Sequence, residues 1–530
     1  MRRRHLLWVA WLAIGMSACT TFRPAQPETA QPCADWRWMG ISRPGTQCPK
    51  IPGWTVQPLF PQLAPARLKS ESSQGKDYCE RMKSDKVPDP ELIRELNRFC
   101  VYEAEQPKIF KQPQFPPAAS AGLVRVDRDC AALSPADTEI DPKEWESNYK
   151  DFLSEAGQPE TLPKTDHQPG VRLVFLDTEP TGEGLPERKR NSPHGYTLAN
   201  IARDLVCTSK PFNHCAAQIA TRLALPVIDF DPKRPKFNKV DTKLGGFLGM
   251  QSDLAVAIRD EVDSWREEGS AEHLVLNLSL AWDDKLFGGL GEEWVAEMQA
   301  GTQAVYRALQ YAASFDVLVL AAAGNQKCAP CANTGPLLPA AWEKEAPREY
   351  GCEPQTKPLL YAVGGVDSDG FPLANARPGG MPRRVAYGET AVVTGVDPRT
   401  SKPTYSGRLY SGSSVSTAVV SSIAAVLWNS HHELQHPYEV MQRLDESGDV
   451  LNFQADFWWS DPTATRSVVR PMVHRLSLCS TLAEPQCAPW RPQPTIQRKY
   501  TTWSQGSCQP WAYPQPEDPP CVACIKPPPG

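Results

Sequence analysis

The chain has 530 residues, more than one ordinary domain holds, so a core domain with added segments at one or both ends is expected. Hydrophobic residues make up 41% and charged residues 22%, an ordinary globular composition, while 53 prolines against 34 glycines point to extended, irregular stretches. The formal charge of -5 gives no general attraction to phosphate backbones, so nucleic acid is not expected as a partner.

The chain opens on Arg2-Arg3-Arg4, an apolar run from Leu6 to Met16, and then Ser17-Ala18-Cys19. The run is too short to span a bilayer permanently, and small residues before a cysteine resemble a bacterial lipoprotein signal. Residues 1–18 are then removed, lipidated Cys19 anchors the protein in the cell envelope, and residues 19–34 form a tether. The other reading is an ordinary secretory signal with a chance cysteine; either one exports the protein. Export favours disulfides among the 16 cysteines, and setting Cys19 aside leaves an odd number, so at least one is unpaired within the mature chain. Cys328/Cys331 and Cys521/Cys524 have zinc-like spacing but lie far apart, and structural disulfides are the preferred reading. Residues 35–165 carry Cys33 just before them and Cys48, Cys79, Cys100 and Cys130 within, many prolines, and one helical-looking stretch from Pro90 to Glu105. They read as a small disulfide-braced domain or wrapping arm.

From about residue 170 apolar strand-like runs alternate with amphipathic helices, the pattern of a parallel sheet with crossover helices. Val171–Leu176 reads as a strand, and Leu198, Ile201, Ala202 and Leu205 place a helix after His194. Ser252 to Glu268 reads as a helix with Ser252 as N-cap and Gly269 as terminator. Leu274–Leu280 and Val317–Ala322 are strands around a helix that carries Val305 and Leu309, and Leu359–Val366 is another strand. Ser414 to Trp428, rich in small and apolar residues, reads as a helix buried on nearly all sides. The core unit is placed at 166–455, with 456–530 a proline- and cysteine-rich extension. The fold class expected is α/β: three layers, a mainly parallel central sheet with helices on both faces, and irregular terminal segments.

Four positions carry chemistry. Asp177 ends an apolar strand, where side chains at the carboxyl edge of a parallel sheet face the ligand crevice. His194 opens a helix, whose positive end disfavours the imidazolium and helps keep a neutral base. Ser414 lies where a loop turns into a buried helix whose first amides point toward whatever the hydroxyl attacks. Asn325 follows Ala321-Ala322-Ala323-Gly324, where its amide could donate to an oxyanion. Singly, each is as readily a turn or cap residue.

Together, in this order, they resemble the subtilisin-like serine peptidases, or subtilases, over roughly residues 170–450. Leu176-Asp177-Thr178, His194-Gly195, Ala322-Ala323-Gly324-Asn325 and Gly412-Ser413-Ser414-Val415-Ser416 match the family's four motifs, and Leu338-Pro339-Ala340 and Ala362-Val363-Gly364-Gly365-Val366 also match. The resemblance implies an endopeptidase with Asp177, His194 and Ser414 as triad, an acyl-enzyme intermediate, and an oxyanion hole from Asn325 and the Ser414 amide. It further implies a substrate cleft lined by Ser279, Leu280, Ala281, Ala322, Ala323 and Gly324, a protein or peptide substrate, and no cofactor. Residues 35–165 stand where the family carries a propeptide, although their composition favours a retained accessory domain. Calcium is often structural in the family, but no local ligand cluster names a site.

Departures from the family pattern are Glu179-Pro180 after the aspartate, Tyr196-Thr197 after His194-Gly195, Ser413 for threonine, and Ala418 where proline is usual. None removes a catalytic group, and together they suggest a divergent, selective member. Asp283-Asp284 would attract a basic substrate side chain, whereas Leu280-Ala281-Trp282 would favour a large hydrophobic one. Two other readings compete. An α/β-hydrolase using Ser414 and His474 lacks the required glycine at Ser416, and a binding module that kept the fold without activity remains the non-enzyme alternative.

Overall fold

The computed structural model describes residues 33–60, 89–105, 115–133, 138–140, 151–158, 162, 170–178, 194–207, 214–223, 248–269, 271–282, 288–290, 298–325, 335–345, 357–373, 375–377, 380–389, 391–396, 403–451 and 473–482. The expected lipid anchor at Cys19, both Cys-x-x-Cys pairs, and Asp283-Asp284 lie outside the described residues.

In chain order the first part holds strand β1 (Cys33–Ser42), β2 (Trp54–Pro58), helix α1 (Pro90–Leu96), β3 (Phe99–Ala104), β4 (Leu123–Leu133) and β5 (Thr138–Ile140). It is more regular than its proline content suggests. Helix α1 starts where Asp89 accepts from the Glu91 and Leu92 amides at 2.7 and 3.4 Å, with Pro90 in the first turn. The helical stretch expected from Pro90 to Glu105 ends at Leu96, however. Phe99-Cys100-Val101-Tyr102 are aromatic and β-branched residues that suit a pleated surface, and they form β3 in the middle of an antiparallel sheet. Cys100 is bonded to Cys48, and Cys207 to Cys215, so these cysteines form structural disulfides as expected.

The remainder runs β6 (Val171–Asp177), α2 (His194–Val206), β7 (Gln218–Leu223), β8 (Leu248–Met250), α3 (Gln251–Glu268), β9 (His273–Leu278), α4 (Ala300–Ala313) and β10 (Leu318–Ala322). It continues with β11 (Tyr361–Val366), β12 (Arg384–Tyr387), β13 (Ala391–Val396), β14 (Pro403–Ser411), α5 (Ser413–Ser430), α6 (Pro437–Ser447), β15 (Asp449–Leu451) and β16 (Val473–Arg475). Eight strands form one sheet in the order β15-β16-β12-β11-β10-β9-β6-β7, parallel except for the β15–β16 pair. The expected α/β class is therefore observed.

Alternation along β6 splits the core into two layers. Val174 and Leu176 join α3 and α4 on one face, whereas Leu173 and Phe175 join α2, α5 and α6 on the other. A second, antiparallel sheet of order β2-β3-β1-β4-β8 lies outside α3 and α4. Its Met39, Ile41, Phe99 and Val101 belong to the same hydrophobic cluster as Leu254, Ile258, Val305 and Leu309 of those helices. The three expected layers are present, and this outer sheet adds a fourth.

The two helices also draw their capping from that sheet. Helix α3 ends at Gly269 in the left-handed region (φ 59°), as expected, but Met250 rather than Ser252 occupies its N-cap position and offers no side-chain acceptor. Instead Asp129 of β4 accepts from the Ser252 amide at 3.4 Å and from its hydroxyl at 2.5 Å. Helix α4 likewise lacks a cap from Gln299, and Asp127 of β4 accepts from the Ala300 amide at 2.8 Å. Carboxylates two residues apart on one strand thus satisfy amides that neither helix can satisfy itself. Asp127→Ala is expected to lower the stability of the full chain by about 1 kcal/mol, the usual worth of a helix cap, read as a shifted urea midpoint at unchanged slope.

Candidate active site

Strand β6 brings Asp177 to the carboxyl edge of the sheet, and α2 begins with His194 directly against it. His194 Nδ1 lies 3.0 Å from both Oδ1 and Oδ2 of Asp177, and both side chains are buried. Thr178 completes the local arrangement. Its amide and hydroxyl donate to Asp177 Oδ1 at 2.6 and 3.1 Å, and its Oγ1 accepts from the Gly195 amide at 3.3 Å. Gly195 is required by space, because a Cβ there would collide with the Thr178 carbonyl and approach the Asp177 Cβ to 2.7 Å. With Nδ1 committed to Asp177, a proton reaching His194 from a nucleophile would arrive at Nε2.

Ser414 is the second residue of α5, a helix buried over nearly its whole length. Its amide lies in the first turn and has no intrahelical acceptor by position. Asn325 follows β10, and its Oδ1 accepts from the Ser413 amide at 2.8 Å. That bond orients the amide group, leaving Nδ2 as the end able to donate elsewhere. Ser413 Oγ accepts from the Gly324 amide at 3.1 Å, so this one residue holds both Gly324 and Asn325 after β10. Ser279, after β9, donates from Oγ to the Ser414 carbonyl at 3.1 Å and to Asn277 Oδ1 at 2.8 Å.

The expected site residues therefore fall into two bonded groups at the carboxyl edge of the parallel strands. Asp177 and His194 form one; Ser414, Asn325 and Ser279 form the other through Ser413. Tyr410 of β14 lies beside the first group, with its ring 6.0 Å from that of His194. Ser414 Oγ is buried and makes no hydrogen bond, so the serine–histidine bond is not formed in this structure. Leu280, Ala281, Ala322, Ala323 and Gly324 lie on the adjoining ends of β9 and β10 and are buried as well. Trp282, expected beside a subsite, is fully buried and packs edge-on against Trp342 at 5.9 Å, which makes it part of the core. His474 sits on β16 opposite Arg384, the first residue of β12, and so at the amino end of the parallel strands, away from the edge that carries Ser414. Among the described residues no group of three or more His, Cys, Asp or Glu side chains is placed to hold a metal ion.

Three contributions are not evident from the motifs, although Thr178 and Ser413 belong to them. Thr178 and Ser413 act on Asp177 and Asn325 through bonds that only the fold creates. The third is β5, which pairs antiparallel with β14 so that Thr138 faces Ser411, and a strand from the first part of the chain thereby lies along the edge leading into Ser414. No periodicity in residues 134–140 announces this.

Residues 252–448 match the model of the subtilase family, a span that holds Asn325 and Ser414 and begins after Asp177 and His194. No curated protein matches the chain. Among solved structures, the epidermin leader peptide processing serine protease from Staphylococcus aureus is similar at 11% identity and a TM-score of 0.45, covering 84% of this chain and 98% of that one. The prenylagaramide maturation protease PagA is similar at 20% identity and a TM-score of 0.35, covering 63% and 98%. MycP1 from Mycobacterium smegmatis is similar at 16% identity and a TM-score of 0.36, covering 69% and 93%. The fold is subtilase-like, with a mainly parallel sheet between helices.

Gly195→Ala is expected to push His194 off Asp177 and to slow any chemistry at Ser414 by roughly 100-fold or more, since a misplacement near 1 Å has about that cost. The rate of covalent labelling at Ser414 measures it, with circular dichroism as the check that the fold persists.

Proposed function

We propose, from a chain whose residues 252–448 match the subtilase family model, that it is a serine endopeptidase acting through Asp177, His194 and Ser414. The observation that carries this reading is the buried Asp177–His194 hydrogen bond. It lies outside the matched span, yet it sits on β6, which is paired in parallel with β9 of that span. The order aspartate, histidine, asparagine, serine, each in matching local context, supports the same reading.

In this reading His194 Nε2 takes the Ser414 proton as Oγ attacks the peptide carbonyl, and then passes it to the leaving amine. Asp177 holds the imidazole in the required tautomer and stabilises the imidazolium. Thr178, donating twice to Asp177, keeps that carboxylate directed at Nδ1. The tetrahedral oxyanion is received by Asn325 Nδ2 and the Ser414 amide, and the Ser413 amide bond to Asn325 Oδ1 fixes the donor beforehand. The acyl-enzyme is then hydrolysed by water through the same groups. The substrate is an extended protein or peptide segment lying across the ends of β9 and β10.

One observation favours the second reading, a subtilase-fold surface protein without activity: Ser414 Oγ is buried and unbonded to histidine. Hydrogen bonds of this kind often tighten only when substrate is present, so the peptidase reading is preferred. A fluorophosphonate probe separates the two. The native protein should label and Ser414→Ala should not; absence of labelling in both would leave the binding module. Asn325→Ala should keep Ser414 in place yet lower kcat about 100- to 1000-fold, roughly 3 to 4 kcal/mol of transition-state stabilisation, in a peptide-cleavage assay.

We also propose that the protein is exported and anchored through lipidated Cys19, on the strength of Arg2-Arg3-Arg4, the apolar run and Ser17-Ala18-Cys19. Cys19→Ser should then move the protein from the membrane pellet to the soluble fraction. Retention in the pellet would remove the anchor from the account.

A further inference from the structure

The seam between the antiparallel sheet and α3 buries more negative charge than it neutralises. Arg37 of β1 is the cation that contacts this cluster among the described residues. Its Nε lies 3.2 Å from Asp129 Oδ2 of β4 and 3.6 Å from Glu103 Oε1 of β3, and its Nη2 lies 3.0 Å from Asp253 Oδ1 of α3. One guanidinium thus faces three carboxylates. Glu103 and Asp253 retain side-chain exposures of 44% and 23% and are partly stabilised by water; Asp129 retains none.

The other groups around Asp129 do not balance the charge. Ser252 of α3 contributes its hydroxyl and amide. From α4, the backbone at Gly301 approaches closely enough that a Cβ there would stand 3.6 Å from Asp129 Oδ1. Two residues along β4, Asp127 is engaged by Arg125 at 2.5 Å and by the Ala300 amide, so Arg125 is committed elsewhere. A fully buried carboxylate that shares one guanidinium with two others is disfavoured as an ion, and taking up a proton relieves it.

We propose that this seam is a proton-operated latch: a proton on buried Asp129 tightens the antiparallel sheet against α3 and α4, and losing it toward alkaline pH loosens the sheet. The latch is separate from the proposed chemistry at Ser414 and would operate whether or not the chain cuts peptides. Burial pushes the Asp129 carboxyl up to about 7, partly opposed by Arg37 and reinforced by Asp253, and burial raises Asp253 as well. The sign follows from linkage. Docked, Asp129 holds its proton more tightly than it would in water, so docking is strongest below the ordinary carboxylate range near 4. It weakens as pH climbs from there to about 7, and is level above that. Between pH 5.5 and 8 the docking equilibrium should fall about 30-fold.

Hydrogen–deuterium exchange on the full chain, corrected for intrinsic rates, tests this at those two pH values. Amides of β1, β4 and the first turns of α3 and α4 should lose about 30-fold protection at pH 8, while β9 and β10 hold theirs. Asp129→Asn, which keeps the shape and cannot titrate, should reduce the change to within about threefold in the same amides. Protection at the seam that is equal at both pH values, that rises with pH, or that falls equally in β9 and β10 would overturn the latch. So would an Asp129→Asn protein that keeps the native dependence. Should that variant not fold, the native protein's exchange pattern alone decides.

Discussion

Helix α5 is packed so completely that it leaves Ser414 no freedom, and the geometry of the site depends on that burial. Seventeen of its eighteen residues are buried, and six hydroxyl-bearing residues lie between Ser413 and Ser422 among alanines and valines. Their polarity is absorbed in two ways. Thr417 and Ser422 donate back to the carbonyls of Ser413 and Ala418, within the helix. Ser416 donates to the Ala386 carbonyl of β12, and Ser421 accepts from Asn277 of β9. Those last two bonds tie the helix to strands on either side of β10 and β11. A helix so placed cannot rotate without stranding hydroxyls in the core, and an unsatisfied buried hydroxyl costs about 1 to 3 kcal/mol. Small side chains let it approach the sheet closely; at Gly365 and Gly388 an added Cβ would run into Ser416.

The same economy of space governs the opposite face of the sheet. Helices α3 and α4 present apolar residues to the central strands and also to the antiparallel sheet, so they form a middle layer between the two sheets. Their amino ends bear partial positive charge that water would otherwise solvate. Asp127 and Asp129 take that role, and since side chains at alternate positions of a strand share a face, a single strand reaches both helices. The outer sheet is thereby bound by hydrophobic area and by hydrogen bonds to the helix ends together. The second kind of binding depends on conditions, whereas the first does not.

The central fold was legible because its strands are continuous apolar runs and its helices repeat at helical spacing. Val171–Asp177, Gln251–Glu268 with Gly269, Leu318–Ala322 and Ser413–Ser430 all lie within two or three residues of their expected bounds. The first part of the chain was less legible. Its strands pair across large separations, as Arg37 with Glu103 and Gly40 with Val126, and long-range pairing leaves little trace in local composition. Ser252 looked like a helix cap because serine before an apolar run usually is one. Here β8 continues to Met250, the helix begins a residue earlier, and the serine becomes a donor to Asp129. Within the site, residue types marked Asp177, His194, Asn325 and Ser414, while the steric need for Gly195 and the bridging role of Ser413 emerge only from atomic contact.

Strand β5 gives the molecule a competitor of its own making. Only four residues separate it from β4 in sequence, and it occupies the edge of β14 from Leu409 to Ser411. A strand tethered so closely is present at that edge at an effective concentration that is on the order of millimolar for short connections. Any extended peptide seeking the same backbone donors and acceptors meets an opponent that never diffuses away. Access to that edge is therefore a contest of ladder against ladder. A visitor prevails by pairing better than this chain pairs with itself, or by arriving after β5 has been detached.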